Sequence, residues 1–151
     1  MSQSLSKLSI HLVFHIKYNS PYIKKENKEQ LLRYINGIIQ NCQSIPIAIN
    51  GTRNHIHILC VMSKNISLKD LVNKIKSNSS RWLRKQDTYY EGFHWQGGYG
   101  AFSVSSSLIN KTKKYIDNQE AHHKKIDSKN EYLLLLNKHE MGYDQSYLFD
   151  E

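Results

Sequence analysis

A chain of 151 residues that is 39% hydrophobic and 23% charged is long enough for one domain with a single core, and its balance excludes a disordered chain. A formal charge of +8 and a pI near 9.4 point to a polyanionic partner, nucleic acid ahead of a membrane surface. The two cysteines, Cys42 and Cys60, lie in apolar segments without CxxC spacing, and neither a signal peptide nor 18 consecutive apolar residues is visible. The expectation is a cytoplasmic protein with no disulfide framework and no membrane partner.

Residues 8–18 alternate strictly, which predicts a strand. Leu8, Ile10, Leu12, Phe14, Ile16 and Tyr18 form its buried face, and Ser9, His11, Val13, His15 and Lys17 a largely polar one. Residues 26–42 carry Leu31, Ile35, Ile38 and Ile39 at helical spacing. Two apolar runs, 45–49 and 55–62, flank "NGTRN", a hairpin signal. In "SLKDLVNKIKSNSSRWLRK", Ser67 and Asp70 cap a helix with Leu68, Leu71, Val72 and Ile75 facing inward. Seven of the residues from Lys64 to Lys85 are Lys or Arg, against one acid. "YYEGFHWQGGYGAFSVS" predicts a strand around 92–96, a glycine-rich turn and a short extended piece to Val104. Serines 105–107 then cap a helix over 108–124, and Ser128 with Glu131 forms a second capping box for a short helix. The resulting order, β-α-β-β-α-β with an added helical third, predicts one ferredoxin-like (RRM-like) α+β domain over residues 1–151. Its antiparallel sheet has helices on one face, leaving the other face open.

Two stretches carry chemistry. Residues two apart on a strand share a face, so His55 and His57 of "NHIHIL" project together and form a natural pair of cation ligands. A polar sheet face that happens to hold two histidines is the plainer alternative. In "YIDNQEAHHKK", Tyr115 and Gln119 are four apart on one helix face that His122 continues, and apolar positions are few. A phenol is a weak nucleophile at neutral pH. A divalent cation held by His55, His57 and an amide oxygen such as that of Gln119 would offset charge on a phosphate while Tyr115 attacks phosphorus. The product would be a covalent phosphotyrosine, which conserves the bond for rejoining.

"NHIHIL", "GYGAFSVS" and "YIDNQEAHH", with the opening "HLVFHIKY" and the tail "YDQSYLF", together resemble the small single-tyrosine HUH transposases of bacterial insertion sequences, the insertion-sequence-two-hundred type. The likeness runs over nearly the whole chain. It implies Tyr115 as nucleophile and His55, His57 and Gln119 as ligands of a divalent cation, Mg or Mn. Two imidazoles by softness suit manganese, zinc or nickel better than magnesium. The resemblance also implies cleavage of single-stranded DNA with subterminal hairpins, and a homodimer in which one subunit's tyrosine helix serves its partner's HUH site. DNA contacts are expected from His11, Lys17, Arg53, Arg81, Arg84 and Lys85. A domesticated HUH nuclease or nicking initiator would share this chemistry on other targets. A non-catalytic single-strand binder would need outward aromatics on the sheet, and a metal-dependent hydrolase would not need Tyr115.

Overall fold

The computed structural model describes residues 2–149. The elements are β1 (Leu8–His15), α1 (Lys25–Asn41), β2 (Ile45–Gly51), β3 (His55–Met62), α2 (Leu68–Arg84), β4 (Gly100–Ser103), α3 (Ile109–Asp117), α4 (Gln119–His122), α5 (Ser128–Lys138) and α6 (Gln145–Leu148). The strands form one antiparallel sheet in the order β2-β3-β1-β4, the ferredoxin-like α+β arrangement expected from the alternating pattern. β2 and β3 pair as the expected hairpin, but Asn50 and Gly51 of "NGTRN" are strand residues opposite His57 and Ile56, and residues 52–54 make the turn.

The apolar half of β1 does what its period requires. Leu12 and Phe14 pack with Ile56 and Ile58 of β3 beneath α1 and α2, in a core that includes Leu31, Ile35, Leu71 and Ile75. Each such fully buried side chain stabilises the fold by about 1.5–3 kcal/mol. Ser67 caps α2 through the Asp70 amide at 3.0 Å, as predicted.

The other sheet face is not open. The helical third folds back across it, so that α3 and α5 form a second helical layer. Val13 and Phe102 pack against Tyr132 and Leu136 of α5, and Leu59 and Ala48 pack against Ile116 of α3. His11 and His15, on the half of β1 that alternation marks as polar, are 4% and 5% exposed. Their imidazoles are buried against other imidazoles, a pairing that polarity alone does not foretell.

Three local expectations change. Residues 92–96 form no strand: Trp95 makes a single bridge to Ile16 and buries its ring against Phe14 and Phe93, and the fourth strand is β4. The helix over 108–124 breaks at Asn118 into α3 and α4. Asp127, not Ser128, caps α5 by accepting from the Asn130 amide at 2.8 Å, which leaves Glu131 free to turn inward. One glycine in "GYGAFSVS" has a clear packing reason. A Cβ on Gly100 would lie 2.7 Å from Cε1 of Tyr132, so only glycine lets α5 approach β4 this closely.

Candidate active site between the sheet and the added helices

His55 and His57 project from β3 toward α3, α4 and α5, and both are fully buried. Their outer nitrogens are held by the chain around them. His55 Nδ1 meets Thr52 Oγ1 at 2.8 Å and Asn54 Oδ1 at 2.9 Å, both from the turn that precedes β3. His57 Nδ1 meets His11 Nε2 at 2.8 Å. Each contact fixes its ring and aims Nε2 into the space under the helices. Gly51 belongs to the same support, because a Cβ there would collide with the His55 carbonyl.

The helix break brings the next donor into place. Asn50 Nδ2 donates to the carbonyls of Ile116 at 2.9 Å and Asp117 at 3.1 Å, tying the end of α3 to β2. Gln119, the first residue of α4, is thereby buried with Oε1 3.1 Å from His55 Nε2. His123 Nε2 lies 3.0 Å from that same Gln119 oxygen.

Glu131 closes the cluster. Its Oε1 lies 2.9 Å from His57 Nε2, 3.0 Å from His123 Nε2 and 3.4 Å from His55 Nε2. Its Oε2 accepts from the Tyr115 phenol and, at 3.1 Å, from Gln119 Nε2. His122 Nε2 stands 3.4 Å from that oxygen. Tyr115 lies edge-on to His57 and His11, with ring centroids 5.8 Å and 6.2 Å away.

Burial sets the charge states. It lowers His57 to about 4 despite the Glu131 carboxylate, and lowers His11 and His15 to about 3, assisted by the neighbouring rings. These imidazoles are therefore neutral at physiological pH, the form that binds a cation. Burial and the Glu131 carboxylate together push the Tyr115 phenol well above its ordinary value, so it is protonated. Burial alone would raise Glu131, but hydrogen bonds from the imidazoles and the phenol outweigh it and hold the carboxyl well below its usual range.

The donor set fits a divalent cation. His55, His57, His123 and Glu131 place one ligand atom each within 4.8 Å of one another, and Gln119 Oε1 joins them. Bonds of about 2.1 Å set neighbouring ligand atoms about 3.0 Å apart around an octahedral ion. The spacing is about 3.4 Å around a tetrahedral one. The closest donor pairs here fall at 2.9–3.4 Å.

Of the residues singled out by sequence, His55, His57, Gln119 and Tyr115 are thus brought together. Tyr115 reaches the histidines of its own chain, where the resemblance implies a partner's. His11 does not present itself as a surface DNA contact; it is buried and holds His57. Lys17 and Arg53 lie near the His55 end of the strands, lining two surface cavities that share Asn54 and Ser128. Arg81, Arg84 and Lys85 belong to the α2 layer, across the sheet from the cluster, and Arg84 is engaged with the Phe93 carbonyl at 2.8 Å. Glu131 and His123 are missed by sequence: Glu131 reads as a capping residue, whereas His123 stands four residues after Gln119, a spacing that would have marked it as the next donor on that side of the helix, in place of which His122 is read.

Residues 4–119 match the family described as transposase, IS200-like. The chain belongs to that family. All four residues carried by the resemblance lie inside the matched segment, whereas His123 and Glu131 of this IS200-like transposase lie beyond it. A candidate transposase of Deinococcus radiodurans R1 has a similar fold, with a TM-score of 0.60 and 21% identity over 79% of this chain and 98% of that one. So does a REP-associated tyrosine transposase bound to a REP hairpin, with a TM-score of 0.59 and 12% identity over 82% and 74%. No curated protein matches the chain. Among the described residues of this transposase no helix is long and apolar enough to cross a membrane.

Proposed function

We propose that this IS200-like transposase cuts and rejoins single-stranded DNA through a covalent 5′-phosphotyrosine on Tyr115, in the cytoplasm, with a divalent cation at His55, His57 and Gln119. His123 and Glu131 extend that ligand set. The observation that carries the reading is Glu131: one oxygen lies on the imidazole cluster and the other accepts the phenol of Tyr115. The nucleophile and the cation ligands are therefore a single carboxylate apart.

When bound, the cation offsets the negative charge that builds on the phosphate in the transition state. The chain supplies the rest. The Tyr115 oxygen attacks phosphorus, the bond to the 3′-oxygen breaks, and the phenol proton is passed by way of Glu131 Oε2 to the departing 3′-hydroxyl. One phosphodiester replaces another, so a second 3′-hydroxyl can reverse the step on a new end. Three imidazoles in the set favour manganese over magnesium.

Lys25, Arg53 and Lys124 line a cavity of about 440 Å³ beside His123 and supply positive charge for a DNA backbone next to the cluster. The hairpin carried by the REP-associated relative supports a hairpin substrate here too. Because Tyr115 already reaches its own chain's imidazoles, a homodimer would duplicate the site instead of completing it. The test is a denaturing gel of labelled single-stranded element ends incubated with protein and manganese or magnesium. A denaturation-resistant adduct that vanishes in Tyr115→Phe supports the reading, and cleavage that survives that substitution replaces it with hydrolysis.

A further inference from the structure

A cavity of about 320 Å³ opens between α3, β4 and α5, and Tyr115 forms part of its wall. This volume is at the small end of ligand pockets, roughly 300–1,000 Å³. Its floor is aromatic and apolar. Phe102 and His139 stack there with ring centroids 4.5 Å apart and planes 20° from parallel, and Leu108 and Leu135 complete the wall. Its rim is basic: Lys111 on α3 and Lys138 on α5 are exposed, and among the described residues neither has an ion-pair partner. Apart from Tyr115 and His11, none of the groups lining the cavity takes part in the imidazole cluster.

An aromatic floor under a lysine rim suits a flat heterocycle joined to a phosphate, since stacking is tolerant of base identity and the lysines face the charge. The wall shared with Tyr115 decides which nucleotide it is. We propose that this cavity holds the unpaired nucleobase of the nucleotide whose 5′-phosphate is transferred to Tyr115. The inference rests on the transesterification reading for its choice of nucleotide, but its chemistry is separable from it.

The probes are the four deoxynucleoside 5′-monophosphates, added to the full chain in the presence of a chelator and followed by amide shifts in nuclear magnetic resonance. Shifts are expected at Ser103, Thr112 and His139. The paired surface substitution Lys111→Ala with Lys138→Ala is expected to weaken docking about tenfold, as two charge-assisted contacts are lost. Thymidine, which lacks the phosphate, should dock as weakly to the unchanged protein. Thr112→Trp, at the half-exposed wall, should fill the cavity and abolish the shifts while the rest of the spectrum is retained. Shifts confined to other surfaces, or none at millimolar nucleotide, would overturn the assignment. So would docking that is unchanged in both variants. If nucleotides dock here but no Tyr115 adduct forms on DNA, the cavity stands and the transesterification reading fails. If the adduct forms equally well in Thr112→Trp, the reading stands and the cavity assignment fails.

Discussion

Glu131 Oε1 lies 2.9 Å from His57 Nε2, although 74 residues separate them, and the same carboxylate accepts the phenol of Tyr115. An ionised carboxylate this deeply buried is costly unless its partners are in place. Here three elements supply them: β3 gives the imidazoles, α3 the phenol and α4 the Gln119 amide. The cluster thus fastens the helical third to the sheet as well as assembling the site.

If Glu131 is a ligand, Glu131→Gln keeps shape and hydrogen bonding but removes the charge that draws a cation. Manganese affinity, measured by calorimetry, should fall by at least about tenfold, in line with the effect of lesser changes around metal sites. Unchanged affinity together with faster adduct formation would instead mark Glu131 as a group that blocks the site.

The buried imidazoles make stability pH-dependent. His11 and His15 fall to about 3 and His57 to about 4 in the fold, from 6.5 when exposed, because burial penalises the charged ring. Between about pH 6.5 and 3 the unfolded chain binds more protons than the folded one. Their stabilisation is therefore whole above pH 6.5 and is lost as the pH falls through that window. Among the described residues His15 Nδ1 has no hydrogen-bond partner and Nε2 makes only a long 3.4 Å contact with the Ser128 carbonyl, while the ring packs beside Tyr132 and Phe149, so His15→Phe should be tolerated. Its acid limb, followed by urea unfolding against pH, should flatten by about 1.4 kcal/mol per pH unit. An unaltered slope would mean that His15 does not resist protonation.

Gly100→Ala tests how α5 seats on the sheet. The added methyl meets Tyr132 at 2.7 Å, an overpacking that should cost about 1–3 kcal/mol. A fall in Tm of roughly 2–4 °C per kcal/mol follows for a domain of this size. No change in Tm would show that Tyr132 is not held where it stands.

Mixing two inactive variants, Tyr115→Phe and His57→Ala, separates the single-chain arrangement from an exchanged one. Each variant lacks half of its own site, so no adduct is expected from the mixture. Activity restored on mixing would mean that the tyrosine helix crosses to a second chain.

The sheet and its first helical layer were legible because β1, α1, β3 and α2 each follow a clear hydrophobic period. The histidine pair and Tyr115–Gln119 were legible from spacing on one strand and one helix. What escaped depends on long-range packing. Alternation marks His11 and His15 as solvent-facing, but the returning helices bury both. Asn50 of β2 holds the end of α3 where the helix breaks at Asn118, and His123 meets Gln119 one turn later in α4. Glu131 sits three residues after a serine, which reads as a cap, until Asp127 takes that work. Trp95 and Phe93 have strand-like neighbours yet serve the core as rings.

Transesterification would leave its mark on one oxygen atom, the Tyr115 phenol, so the measurement to make is of where the covalent product lies. Protein incubated with manganese and a cognate single-stranded end should be digested with trypsin and nuclease, and its peptides weighed. Expected is a nucleotide on the peptide that begins at Tyr115, attached to the phenol, together with a free 3′-hydroxyl on the released strand. Cut DNA bearing a free 5′-phosphate and an unmodified Tyr115 peptide throughout the time course would contradict it.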